Sequence, residues 1–178
     1  MEALDKEINT ELVKISPILA LINAKTPIQI DYYCEKALIE DNAIKKLPSS
    51  DQPENQYIYE HFRQEMEKEK AQSEVLCEVL KKAQIHISKI VNIALEKKRV
   101  PSNCYLFYAF VEKNAESDDY VAEPIPLLFE TLKDCKIAEE VLRDYDIGTR
   151  KCRQWQSSES FKSEEFFKKV TTQKKGNK

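Results

Sequence analysis

Glycine is nearly absent from this 178-residue chain: there are two, Gly148 and Gly176, and the second lies close to the C-terminal end. Phosphate-binding loops and tight hairpins depend on glycine, because only glycine adopts a positive φ without steric cost. A chain with one internal glycine is therefore not expected to form a Rossmann fold, a P-loop or a hairpin-rich β fold.

Sequence patterns for binding metal are also missing. The two histidines, His61 and His86, have Ile58 and Ala83 three residues before them, where the helical di-iron pattern needs glutamate. Neither histidine belongs to a His-Glu-x-x-His zinc motif. We therefore expect no metal, no cofactor and no catalytic residue, and we predict that the protein is not an enzyme.

The cysteines are scattered, with no two closer than 17 residues: Cys34, Cys77, Cys104, Cys135 and Cys152. An odd, scattered set is typical neither of a disulfide framework nor of a zinc knuckle. The N-terminal residues, MEALDKEINTELVK, lack the basic start and apolar run of a secretory signal. No run approaches the 18 apolar residues that a membrane span needs. These features predict an intracellular protein in a reducing compartment.

Charge of either sign is not in large excess. Lysine and arginine total 28 against 31 aspartates and glutamates, so the net charge is −3. A chain so near neutrality has no long-range attraction for DNA or anionic lipid, and direct nucleic-acid binding is not expected. Charged residues are nevertheless abundant, at 33% of the chain. An average globular protein has about 25%, so exposed helical faces are expected.

The first 47 residues are predicted to form an N-terminal helical segment. Leu4, Ile8, Leu12 and Ile15 recur every three or four residues, which places them on one face of a helix over 3–15. Thr26-Pro27 is typical of a helix start, and this second helix should reach Leu47. Residues 48–53, with two prolines and small polar side chains, are predicted to be a linker.

Residues 54–99 are predicted to form one long helix or a helical hairpin. Ile58, Phe62 and Met66 begin an apolar stripe, which resumes at Leu76 and continues to Ala94. The charged residues 67–74 between the two parts have almost nothing to bury. The segment is therefore expected to be a coiled-coil arm, a bent pair of helices nearly in line, or two antiparallel helices with a turn near residue 70.

Residues 100–172 are predicted to form a small C-terminal helical bundle. Residues 104–111 are the most apolar run, and periodicity fits a buried strand or a buried helix equally well. A single strand would have no partner, so we predict a helix. Further helices are expected near 127–135, 138–145, 149–156 and 160–170, followed by a basic, disordered tail over 173–178. The fold prediction is therefore all-α: N-terminal helices, a long helix or hairpin, and the bundle.

One segment, LLFETLKDCKIAEEVLRDYDIG over residues 127–148, resembles a known family. It is similar to the LW domain, the N-terminal helical domain of the RNA polymerase II transcript-cleavage factor, which is also found in Elongin A and in a Mediator subunit. The resemblance covers about residues 127–170. It rests on the spacing of six residues: Leu132, Ile137, Val141, Leu142, Ile147 and Gly148.

The resemblance implies a protein-recognition module that docks short motifs of transcription-elongation factors and does not catalyse a reaction. It also implies a nuclear location, although the cytoplasm fits the composition as well. After Gly148 the match decays, because the apolar positions Cys152 and Trp155 are shifted by one. The candidate partner-binding residues are four basic side chains and one aromatic: Arg143, Arg150, Lys151, Arg153 and Trp155.

Two other functions fit the same sequence. The protein could be a structural subunit of a multiprotein assembly, whose long helix packs against partner helices. Alternatively, it could be an enzyme whose site is assembled from distant residues, such as a histidine beside a cysteine. Whether the protein is a recognition module or a structural subunit, its expected partners are other proteins, bound by helix packing or by peptide docking.

Overall fold

The computed structural model describes residues 2–47, 53–113 and 121–155 and combines four helices with a small antiparallel sheet. In chain order the elements are α1 (Glu2–Ile15), α2 (Pro17–Lys45), α3 (Pro53–Lys97), β1 (Tyr105–Lys113), β2 (Val121–Phe129), α4 (Leu132–Asp144), β3 (Gly148–Thr149) and β4 (Arg153–Gln154). Strand β1 is central, with β2 on one side and the two short strands β3 and β4 on the other.

The prediction of an all-α fold is wrong, because residues 104–111 fall mainly in strand β1. This strand pairs along its whole length with β2, with Tyr105 opposite Phe129 and Lys113 opposite Val121. Neighbouring side chains of both strands are buried, so both faces of the hairpin are covered. A strand covered on both faces has no apolar–polar alternation, and its sequence cannot be told from that of a buried helix.

The C-terminal helical bundle is also wrong for the residues that the structure describes. The predicted helix over 127–135 covers the end of β2 and only the first turn of α4, and residues 138–145 lie in the rest of α4 and its cap. The predicted helix over 149–156 is replaced by β3, β4 and the chain between them. The predicted helix over 160–170, the tail 173–178 and nearly all of the linker 48–53 lie outside the described residues.

Strand β2 is the outer strand of the described sheet and carries two buried prolines, Pro124 and Pro126, on its outer edge. Pro126 lies opposite Tyr108, whose C=O accepts the Arg150 N–H at 2.9 Å on the other side of β1. The backbone groups of this pair therefore point away from each other. Proline is tolerated at such edge positions, and it removes the N–H groups that another strand would need.

Helices α1 and α2 meet at Ser16, whose side chain caps α2 by accepting the Leu19 N–H at 3.2 Å. The predicted helix start at Thr26-Pro27 is wrong, because α2 runs through it. Pro27 leaves one backbone carbonyl of the helix without its usual N–H donor. Thr26 is buried in the same turn, and its hydroxyl donates to the Ile22 carbonyl at 2.8 Å.

Helix α3 is a single helix of 45 residues rather than a hairpin. At 1.5 Å per residue it is about 68 Å long. It packs antiparallel to α2, and the register is fixed at two points: the disulfide Cys34–Cys77 and the ion pair between Asp41 and Lys70. The C-terminal half of α3 carries the core residues that contact α2 and the sheet, including Leu80, Ala83 and Ile87.

Candidate functional surfaces

The six residues of the apparent family motif run from the first residue of α4 to the first residue of β3 and do not form one surface. Leu142 and Ile147 are buried, whereas Leu132 and Ile137 are exposed and Val141 is partly buried. The Ile147 N–H donates to the Leu142 carbonyl at 3.1 Å, and the Asp146 N–H to the Arg143 carbonyl at 2.9 Å. This pair of bonds is a Schellman cap, in which the residue after the cap adopts a left-handed conformation.

That left-handed residue is Asp146, at φ 60°, and not the glycine. Gly148 begins strand β3, pairs with Phe110 and has no positive φ. The regular spacing of Leu142, Ile147 and Gly148 is therefore explained by the helix cap and the start of a strand. It requires no helical bundle.

The four candidate basic residues lie at the β3–β4 end of the sheet, and three of them have structural contacts. Arg143 donates from Nε to the Thr149 hydroxyl at 2.8 Å and lies 3.3 Å from the Glu139 carboxylate. The guanidinium of Arg150 lies 6.0 Å from the centre of the Phe110 ring. Arg153 belongs to β4, and Lys151 is exposed.

Trp155 is fully buried, so this candidate partner-binding residue is part of the core. Its backbone N–H donates to the Cys104 carbonyl at 2.8 Å, which closes the described part of the sheet beside β1. An aromatic residue at the end of a basic segment is typical of a binding surface as well as of a core anchor. The sequence alone therefore could not distinguish the two.

Cysteine pairing is the main feature that sequence reasoning missed. Cys34 of α2 and Cys77 of α3 form a disulfide, with their Cα atoms 5.0 Å apart. The expectation of unpaired cysteines is wrong for these two, and cysteine usage no longer supports a reducing compartment. Forty-three residues separate the pair, so no local spacing could have revealed it.

The remaining cysteines have buried or shielded thiols. Burial, and to a lesser extent the charge of Glu130, raises the pKa of Cys104 to about 12. A hydrogen bond with Cys152, together with burial, also raises the pKa of Cys135 well above its ordinary value. Because the thiolate is the nucleophile, neither Cys104 nor Cys135 is poised to attack a substrate.

His86 is the histidine with the richest surroundings. Its Nδ1 accepts the Glu130 N–H at 3.2 Å, and its Nε2 lies 3.7 Å from the Asp134 carboxylate. Its ring also packs against Phe129, with the ring centres 5.1 Å apart. These contacts tie α3 to the start of α4, and the Glu130 N–H occupies the Nδ1 atom of the ring.

The cleft in the described residues offers no histidine or cysteine. A cleft of about 470 Å³ at the C-terminal end of α3 is lined by residues that include Ile90, Lys97, Arg99, Pro101 and Glu130, with no histidine or cysteine. Among the described residues, no group of three or more histidine, cysteine, aspartate or glutamate side chains could hold a metal ion.

Exposed apolar side chains are instead concentrated on two helices. The first group is on α3, where Tyr57, Ile58 and Phe62 are 81%, 64% and 54% exposed. Continuing the register of the two fixed points, Leu47, just after the end of α2, lies opposite Gln64. Residues 53–63 therefore extend beyond Leu47 by about 16 Å at 1.5 Å per residue. We refer to these residues as the α3 arm.

The second group is on α2, where Leu21, Ile28, Tyr32 and Ile39 are 37%, 68%, 48% and 60% exposed. They follow one another at spacings of seven, four and seven residues, which keeps them on one side of a helix. The face that contacts α3 includes the buried Ala37, two residues from Ile39 and therefore on nearly the opposite side. We refer to these four residues as the α2 stripe.

Comparisons with known proteins add no relative. No protein-family model, no curated protein and no solved structure matches the chain. Within the part of the chain that the structure describes, no helix is both long enough and apolar enough to cross a bilayer.

Proposed function

We propose that the protein is a non-catalytic helical subunit of a multiprotein assembly and that its α3 arm docks against a helix of another protein. The observation that carries this proposal is the arm's apolar face. Ile58 and Phe62 lie eighteen residues, or five helical turns, before the core residues Leu76 and Leu80. The exposed face of the arm is therefore the continuation of the face of α3 that is buried in the core.

This continuity favours a helix as the partner. Beyond Lys45, the position that α2 occupies along α3 is open among the described residues, while the apolar side chains on α3 continue. A partner helix placed end to end with α2 would cover Ile58 and Phe62, as the folded core covers Leu76 and Leu80. Exposed aromatic and aliphatic anchors of this kind dominate helix-in-groove recognition.

Docking by strand addition is disfavoured. A peptide that adds to a sheet needs N–H groups along its outer edge, and on β2 two of these are missing at Pro124 and Pro126, which are also buried. The opposite side of β1 is occupied by β3 and β4. Protein partners are therefore more readily accommodated on the helices.

The transcription-elongation module that the family resemblance implies stays a prediction. The described residues give it no support, because they form a sheet in place of its helical bundle and because part of its motif forms a helix cap. An assembled enzyme site has no supporting geometry among the described cysteines and histidines, given the raised thiol pKa values of Cys104 and Cys135.

The test is a site-specific photo-crosslinking experiment on the full-length protein in its native cells. A photoreactive phenylalanine analogue at Phe62 should give one discrete crosslinked partner, and Ile58→Glu should abolish it. The matched control is Ile85, which is exposed on the opposite side of α3. A probe at Ile85 should give no such partner, and Ile85→Glu should leave the crosslink at position 62 intact. Equal crosslinking at both positions, or none at position 62, would contradict the proposal.

A further inference from the structure

The α2 stripe has a symmetry that the arm lacks. Leu21 and Ile39 lie nine residues on either side of Ile30, and Ile28 and Tyr32 lie two residues on either side of it. The apolar positions of the stripe therefore have the same spacing in both chain directions. Two copies of such a helix, packed antiparallel, would place apolar residues opposite apolar residues in every one of these layers.

The charges within the stripe follow the same symmetry. Two charged residues, Lys25 and Glu35, lie between the apolar residues of the stripe on the same side of α2. Each is five residues from Ile30, and both are exposed. In an antiparallel pair, Lys25 of each copy lies opposite Glu35 of the other, which gives two equivalent attractive contacts. A parallel pair would instead place lysine against lysine and glutamate against glutamate, which is unfavourable.

We propose that the α2 stripe is a homodimer interface in which two copies of this chain pair antiparallel about a two-fold axis level with Ile30, whose own side chain points towards the core. An interface through a two-fold axis must be self-complementary, and the order Leu21, Lys25, Ile28, Tyr32, Glu35, Ile39 meets that requirement. The proposal does not rest on the function of the α3 arm.

The expected strength of this contact is moderate. The stripe is about 27 Å long at 1.5 Å per residue, so its pairing buries less area than most stable dimers do. One pair of like charges also lies beside the axis, because Asp31 of one copy approaches Asp31 of the other on the solvent side. We therefore expect a dimer that dissociates in the micromolar range, with an affinity that rises when Asp31 is neutralised.

A charge-swap experiment on the full-length protein tests the register. Glu35→Lys places lysine against lysine in both layers, and Lys25→Glu places glutamate against glutamate. Each single variant should weaken dimerisation about tenfold or more, because two attractive contacts become repulsive. The double variant Lys25→Glu with Glu35→Lys restores both contacts and should return to within about threefold of the original affinity. Sedimentation equilibrium gives the dissociation constants.

The outcomes separate the alternatives. If the dimer is parallel, either single swap changes its affinity little. If α2 instead binds a different protein, whose charges are fixed, the double variant does not restore the affinity. Either result overturns the proposal. A protein that stays monomeric at the highest soluble concentration overturns it as well. Repeating the series with Ile58→Glu and Phe62→Glu removes self-association through the α3 arm, so the failure of one surface is distinguishable from the failure of the other.

Chemical crosslinking gives an independent readout. Asp31→Cys lies beside the axis, and a short bismaleimide reagent should crosslink the two copies there. Asn42→Cys is exposed on the same side of α2, but the antiparallel register separates its two copies by about 36 Å. Crosslinking at position 31 and not at position 42 supports the register; crosslinking at position 42 overturns it.

Discussion

A methyl group added to Gly148 would lie 4.0 Å from the Cβ of Phe110, which is an ordinary contact distance. The glycine is therefore not required by crowding, and its φ is not positive. The strained position is Asp146, at φ 60°. A side chain in the left-handed region has a conformational cost that glycine does not have.

This contrast gives a matched pair of variants. Asp146→Gly should stabilise the protein by about 0.5–1 kcal/mol, because it relieves the left-handed residue of the α4 cap. The ion pair that Asp146 loses with Lys68 is largely exposed and contributes little. Gly148→Ala should be nearly neutral. Urea unfolding monitored by circular dichroism measures both effects, and a large destabilisation by Gly148→Ala would contradict this explanation of the motif.

The disulfide between α2 and α3 should make a large contribution to stability. Replacing Cys34 and Cys77 by serine releases a cross-link between residues 43 apart in the chain. The chain-entropy relation gives about 4 kcal/mol for a loop of that size. Unfolding with and without reductant measures the contribution. The variant should be insensitive to reductant, with Cys152→Ser as the control that keeps its sensitivity. If reductant does not change the unfolding midpoint of the unmodified protein, the disulfide bond is not present.

The buried thiol of Cys104 should make the folded protein less stable at alkaline pH. Its pKa is raised from 9.0 to about 12 in the folded protein, so the fold favours the neutral thiol. The stabilising effect is fully present below pH 9.0 and is lost as the pH rises towards the folded pKa of about 12. Cys104→Ser should flatten this part of the stability profile relative to the unmodified protein. If both proteins lose stability in parallel above pH 9, the thiol is not the cause.

Asp41 predicts a smaller effect at acid pH. Hydrogen bonds from Lys70, and then from Lys45, hold the pKa of the Asp41 carboxyl below its ordinary 3.8. Its contribution to stability is present above that value and is lost as the pH falls through the lowered pKa. Lys70→Gln should move the pKa of Asp41 back towards 3.8, as measured by NMR titration of its side-chain carbon. An unchanged titration would show that the α2–α3 register differs from the one described.

The helices could be predicted from the sequence better than the sheet. The 3.6-residue periodicity of α1 and of the stripe from Leu76 to Ala94 reflects one buried face, and the structure has helices there. Strand β1 could not be recognised, because burial on both faces removes the alternation that identifies a strand. A usable signal was present at Thr131 and Asp134, where the threonine side chain accepts the Asp134 N–H and caps α4.

The candidate surfaces were less predictable for a different reason. The sequence places Ile58 and Phe62 in the same stripe as Leu76, and only the end of α2 determines which of them stay exposed. The α2 stripe was hidden because α2 is apolar on two opposite sides, which leaves no single periodic face to detect. The position of Trp155 in the core depends on the pairing of the neighbouring β4 with β1, which is a contact between residues distant in sequence.

The Cys34–Cys77 bond also has a mechanical consequence. Packed helices can slide along each other by one turn, about 5.4 Å, when only side chains hold them. A covalent link between α2 and α3 prevents that sliding, so the length by which the α3 arm overhangs α2 stays constant. A pulling force applied to the arm is then transmitted to α2 through a covalent bond, and reduction of this bond would leave only side-chain packing to resist it.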